Sequence, residues 1–200
     1  MRTARSLDSA SEFEYRGLSL DEFLSRVSMP EPAPAGGSVA AIGAALAASL
    51  CVKAARLSAR QMAEATELAT RAGGLRDRAA SLSEADALVY ADVVAARRRA
   101  AGPHDPGVAT ALSVAADIPL ETASLAREVA DVAVRLAEHG NPGLVGDAVT
   151  AALIAAAAAR GAAALVRLNL AEQPDDPRHS RAAELVAATD ALRARALELA

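Results

Sequence analysis

The chain has 200 residues, a net charge of −4 and a composition that is 52% apolar but only 2% aromatic, with no Trp. That length suits one domain with a real core, while the acidic balance excludes a nucleic-acid binder, which needs a concentrated Lys/Arg surface. The single Cys51 excludes an internal disulfide, and no CxxC or Cys/His cluster is present for zinc or another metal.

Residues 1–17 lack a hydrophobic period and read as a mobile arm. Asp8, Glu12 and Glu14 follow Arg2 and Arg5 too closely for a signal peptide, so reduced cytoplasm is the expected compartment. Ser19-Leu20-Asp21-Glu22 is a capping box ahead of Phe23, Leu24 and Val27, which starts a short helix. Pro30, Pro32 and Pro34 end it, since each proline disfavours α geometry in the residue before it. Gly36-Gly37-Ser38 then opens a long helix, with Gly37 or Ser38 as its cap. This helix is expected to run through Leu46, Leu50 and Leu57 toward Arg71, bending near 58–61 and broken by Gly73-Gly74. The stretch 35–52 carries no charge but is mostly Ala, Gly and Ser, so it reads as a buried helix and not a membrane span.

A third helix carries Leu75, Leu82, Leu88, Val89 and Val93, ending near Ala101 before the loop Gly102-Pro103-His104-Asp105-Pro106-Gly107. A short helical piece covers 108–115. Asp117 precedes a further helix with Pro119 in its first turn, ending at His139-Gly140. Asn141-Pro142 restarts the chain into a long helix reaching Asn169, and Asp176-Pro177 caps a last helix. No strand pattern and no repeat interrupts this series. The prediction is all-α: an antiparallel bundle of long Ala-rich helices over residues 18–200. Large Ala-rich faces with few aromatics also predict a homodimer.

Three features can carry chemistry. The run Pro32-Ala33-Pro34-Ala35-Gly36-Gly37-Ser38 lies directly before a helix, where backbone N–H groups meet an anion or polar ligand atom; a turn plus cap is the plain alternative. Asp147 falls in the first turns of the helix that follows Asn141. Its spacing to Leu144, Ala151 and Ile154 turns it toward the core or a cavity, although a dipole-stabilising charge explains it equally well. Asp86 interrupts the stripe Leu82, Val89, Tyr90, Val93; its alternative is a carboxylate satisfied by Arg or by a helix end. Arg167 and Asn169 close an apolar run, as caps or as partners for a ligand's carboxylate or amide edge.

These segments occur in an order that is specific as a set: Ser19–Leu24, the Pro-x-Pro-x-Gly-Gly-Ser-Val-Ala-Ala run at 32–41, Asp117-Ile118-Pro119-Leu120-Glu121, Gly140-Asn141-Pro142 with Asp147, and Gly161-Ala162 followed by 166–170. The set resembles the cyclodeaminase/cyclohydrolase family, which comprises formiminotetrahydrofolate cyclodeaminase domains and methenyltetrahydrofolate cyclohydrolases. The resemblance implies an all-helical dimer with folate in a groove near the helix starts, and no cofactor beyond that tetrahydrofolate substrate. By position, Asp147 matches the family's acidic catalytic residue, Asp86 an acidic position in the third helix, and the Gly36–Ser38 turn the groove. Pro34, Asn141, Arg167 and Asn169 join them as implied substrate-binding residues, with Lys53, Arg56 and Arg167 as cations for the folate tail. The chain departs from the family's pattern at Ala35, Gly146 and Leu165, and has no lysine in the 58–61 stretch. Those departures keep open a helical folate-binding protein without catalysis.

Overall fold

The structure, a computed structural model, describes residues 13–102 and 104–200. Helix makes up 78% of it, with no strand among the described residues. The helices are α1 (Leu20–Val27), α2 (Gly36–Arg56), α3 (Ala65–Arg99), α4 (Pro106–Ala115), α5 (Asp117–His139), α6 (Val145–Asn169) and α7 (Arg178–Leu197), with a 3-10 turn at Pro142–Leu144 before α6. The predicted antiparallel bundle is what forms. α2, α5 and α6 pack on one another, α3 covers α2 and α5, and α7 lies against α5 and α6.

The core is built from alanine. Ala41, Ala44, Ala47 and Ala48 of α2, Ala126, Ala130 and Ala133 of α5, and Ala148, Ala151, Ala152 and Ala155 of α6 are all fully buried. Side chains this small let helix axes approach closely, so dispersion contacts replace the bulk that aromatic residues would supply.

The expected arm divides. Residues 1–12 lie outside the described residues, whereas the backbone N–H groups of Tyr15 and Arg16 donate to Glu84 Oε1 at 3.0 and 3.1 Å, and the Tyr15 ring packs edge-on against Phe23. The capping box at Ser19 forms as predicted.

Two helix boundaries differ from the sequence reading. α2 ends at Arg56, and α3 begins at Ala65 and runs through Gly73-Gly74 without interruption. Buried residues Ala65, Leu68, Ala72, Leu75, Ala79 and Leu82 recur every three or four positions across the glycines, so packing along one face holds the helix together. The break instead falls at Ser58, whose hydroxyl donates back to Ala54 O and whose carbonyl accepts from the N–H groups of Gln61 and Met62. The N-cap of α2 is Ala35, in extended conformation and with no side-chain cap of its own, and not Gly37 or Ser38.

By length and composition, α2, the Pro106–His139 segment and the Pro142–Asn169 segment are each apolar enough to cross a membrane. Of the most apolar windows in α2 and Pro142–Asn169, 56% is buried inside the bundle, in keeping with the reading of 35–52 as a core helix.

Candidate active site

The sequence-derived residues gather in two clusters, one at each end of the antiparallel pair α2 and α6. At the first end, α2 begins without a cap of its own, and Asp86 of α3 supplies one. Ser38 Oγ donates to Asp86 Oδ2 at 3.1 Å and to Ser83 O at 2.9 Å. The fit leaves no room for a side chain at Gly37, where an added Cβ would lie 2.0 Å from Asp86 Oδ1. Burial pushes the Asp86 carboxyl above its ordinary value, opposed by its hydrogen bonds to Ser38. The structure thus places Asp86 on a helix end, where it fills the α2 N-terminus.

Pro34 is buried just ahead of this turn, and Gly36 is exposed on it, its Cα side facing Leu165 Cδ1 from α6. Asn169 and Arg167 close α6 at the same end, half-buried and exposed respectively. Beside the turn lies a cleft of about 350 Å³ between the 31–33 segment and α3, lined by Pro32, Ala33, Ala87, Ala91, Val94 and Arg98. That volume lies at the lower end of small-ligand sites. Arg98 lines the far end of this cleft, three turns of α3 beyond Ala87, and sequence reading missed it.

The second cluster sits at the opposite end. Asp147, in the first turn of α6, pairs with Lys53 in the last turn of α2, Lys53 Nζ lying 2.6 Å from Asp147 Oδ2. The pair is close, but its angles do not make a directional hydrogen bond, so buried Oδ2 is neutralised without an aligned donor. The Asp147 side chain keeps 31% of its surface open, enough for a ligand atom to reach it. Lys53 is the only lysine in the chain, against 20 arginines.

The corner that holds this end is built by Ser58, Gly140 and Asn141. Asn141 N–H donates to Ser58 Oγ at 2.8 Å, Asn141 Nδ2 donates to Leu57 O, and Gly143 N–H donates to Asn141 Oδ1. Gly140 is extended, not left-handed as a helix-ending glycine often is. It is required by space, since an added Cβ would meet Leu136 O at 2.4 Å and Ser58 Oγ at 2.8 Å. Asn141 is thereby committed to structure and sits with Asp147, while Pro34, Gly36, Gly37, Ser38, Asp86, Arg167 and Asn169 sit at the other end.

Fifteen residues of α2 separate Ser38 from Lys53, about 22 Å at the rise of an α-helix. Within one copy the glycine turn and Asp147 therefore lie at opposite ends of α2. Arg56 lines a different groove, toward α3, with Thr66 and Thr70. Cys51 is fully buried, and desolvation pushes its thiol up to about 12, which makes it inert as a nucleophile. No three His, Cys, Asp or Glu side chains converge on a metal position among the described residues.

Comparison with known proteins agrees with this architecture. Methenyltetrahydrofolate cyclohydrolase of Methylorubrum extorquens is 29% identical over 163 residues, 76% of this chain and 78% of that protein. The crystal structure of formiminotetrahydrofolate cyclodeaminase from Thermotoga maritima superposes with a TM-score of 0.83 at 24% identity, covering 93% of this chain and 97% of that one, which establishes the shared fold. The formiminotransferase-cyclodeaminase family model matches residues 19–188, nearly the whole helical bundle, and the chain belongs to that family.

Proposed function

We propose that the chain is a folate one-carbon enzyme acting, as a homodimer, on the amidine C–N bonds of methenyl- or formimino-tetrahydrofolate. The observation that carries this reading is the ion pair between the chain's only lysine and the acid at the family's catalytic position. It presents an ionised carboxylate, partly open, at the N-terminal end of α6, whose dipole favours negative charge.

Both reactions suit such a group. In the cyclohydrolase direction, water adds to the bridging carbon between N5 and N10 and gives its proton to Asp147. The N5–carbon bond then breaks as that proton passes to N5 and the hydroxyl on the same carbon releases its proton to solvent, leaving 10-formyltetrahydrofolate. In the cyclodeaminase direction, N10 attacks the carbon of the protonated formimino group, the N10 proton passes through Asp147 to the departing nitrogen, and ammonia leaves the methenyl cation. The delocalised cation flanking the reacting carbon gains from the nearby carboxylate in either case. Lys53 holds the Asp147 carboxylate in place between substrates. Neither reaction requires a cofactor beyond the folate, and an acidic soluble protein in the cytoplasm fits this role.

Purified protein mixed separately with methenyl- and formimino-tetrahydrofolate tests the reading through the methenyl chromophore. Cyclohydrolase activity speeds its loss over buffer alone, and cyclodeaminase activity makes it appear. Asp147→Asn should keep the helical circular dichroism spectrum and lower turnover by at least about 10²-fold, the lower range for a lost general acid/base. Turnover unchanged in that variant, with a lower melting temperature, would reduce Asp147 to a helix-start charge. A second reading rests on Leu165, which puts an apolar side chain against the Gly36 turn: folate bound by the unmutated protein without turnover would favour a binding protein.

A further inference from the structure

Lys53 and Asp147 are both tied, through the backbone, to one buried hydroxyl. Ser58 is 1% exposed and lies in the turn that follows α2. Its N–H turns aside to Ala55 O at 3.0 Å, and its hydroxyl donates to Ala54 O at 2.7 Å, in place of the bond that a continuing helix would make. The same oxygen accepts the N–H of Asn141 at 2.8 Å, across 83 positions of sequence. Ala54 is the residue after Lys53. Asn141 opens the turn in which Gly143 N–H donates to its Oδ1 and Leu144 N–H to its carbonyl, and α6 follows at once with Asp147 in its first turn. Gly140 leaves this oxygen its place, since an added Cβ there would lie 2.8 Å from Ser58 Oγ.

We propose that Ser58 is a positioning residue for the reaction: by holding Ala54 O and Asn141 N–H together it sets the start of α6 against the end of α2, and so fixes where the Asp147 carboxylate stands. The ion pair does not locate itself. Lys53 Nζ reaches Asp147 Oδ2 without an aligned hydrogen bond, and the lysine side chain is 56% exposed on a flexible stem; a pair of that kind fixes little on its own. The carboxylate is therefore placed by its backbone. A second tie at this corner, from Asn141 Nδ2 to Leu57 O at 3.2 Å, is open to water, which competes for both groups. The Ser58 bond to Ala54 O is shielded from that competition. Ser58 itself touches no reacting atom, and its role rests on the proposed folate activity. A proton-transfer group is sensitive to such support, because a misplacement of about 1 Å can cost roughly 10²-fold in rate.

Ser58→Ala removes the hydroxyl and adds no bulk, so the helical circular dichroism spectrum should be kept. On whichever of methenyl- and formimino-tetrahydrofolate the unmutated protein turns over, kcat should fall at least about 10-fold, with KM within about twofold. In the Asp147→Asn background, measured with enzyme in excess over substrate, the same change should lower turnover no further, since Ser58 acts through that carboxylate. An unchanged kcat, a KM effect in its place, or a further fall in the Asp147→Asn background overturns the proposal. The carboxyl ¹³C resonance of Asp147, identified by its absence from Asp147→Asn, gives a readout free of turnover. Lys53→Met should move this resonance in the otherwise unmutated protein and leave it in place once Ser58→Ala has parted the pair. A resonance that responds equally in both, or in neither, overturns the proposal as well. Should Ser58→Ala unfold, Ser58→Cys, whose thiol is a weak donor and acceptor, replaces it in each measurement. If the unmutated protein turns over neither folate, it is the proposed function that falls, and the resonance alone decides whether Ser58 sets the pair.

Discussion

Gly37 and Asp86 explain each other. The glycine has no left-handed conformation to justify it; it is there because the Asp86 carboxylate occupies the space of its missing side chain. The carboxylate in turn is there because α2 starts at an alanine that cannot cap it. Gly37→Ala is therefore expected to cost about 1–3 kcal/mol, the usual range for overpacking, measured by urea unfolding. In an Asp86→Ala background the same change should cost clearly less, because the atoms it strikes are gone. Equal costs in both backgrounds would mean that the clash is relieved by movement elsewhere. The Lys53–Asp147 pair is the contrasting case, as its two members fit without steric necessity and leave a carboxylate face open.

α3 is the element whose behaviour departs most from its local residues. Two consecutive glycines reduce helix propensity by about 2 kcal/mol relative to alanine, yet the helix continues across them for 35 residues. Burial of Leu68, Leu75 and Leu82 on one face outweighs that cost, since each fully buried Leu contributes about 1.5–3 kcal/mol. Neither glycine is sterically required, because an added Cβ at either position meets nothing within 4 Å. Gly73→Ala with Gly74→Ala should thus raise stability by about 1–2 kcal/mol, seen as a higher melting temperature. A lower one would mean that the glycines serve a contact outside this chain. α2 is the converse: its apolar run favours continuation, and the Ser58 hydroxyl, bonded to Ala54 O and Asn141 N–H, stops it.

The molecule as a whole trades side-chain bulk for close helix approach. Gly43 of α2 lies against Ala158 of α6, and Ala40 against Gly161, where an added Cβ would be in ordinary van der Waals contact. Such a core is easily overfilled. Ala152→Leu, at a position with no solvent exposure, is expected to destabilise the protein by about 1–3 kcal/mol or to spread the bundle, measurable as a reduced denaturation midpoint. The same substitution at exposed Ala157 should leave the fold unchanged, since no neighbour in the chain fills that space. A neutral Ala152→Leu would show that the interior holds a void large enough for three extra carbons.

Local chemistry was legible in the residues themselves. The capping box at Ser19, the helix start after Asn141, the end at His139 and the Ala-rich helical periodicity all follow from propensity and capping within a few neighbouring positions, and these decide an all-α bundle. Asp147, Gly36–Ser38 and Asp86 stood out for the same reason, as polar or glycine residues breaking an apolar pattern. Their mutual arrangement was not local. α2 and α6 run antiparallel and are each longer than a ligand site, so residues that neighbour each other in a list of motifs lie about 22 Å apart along the helices. Which cation meets Asp147, which carboxylate caps α2 and where α3 begins depend on contacts between residues 48 to 94 positions apart. Only packing of the helices against one another decides those.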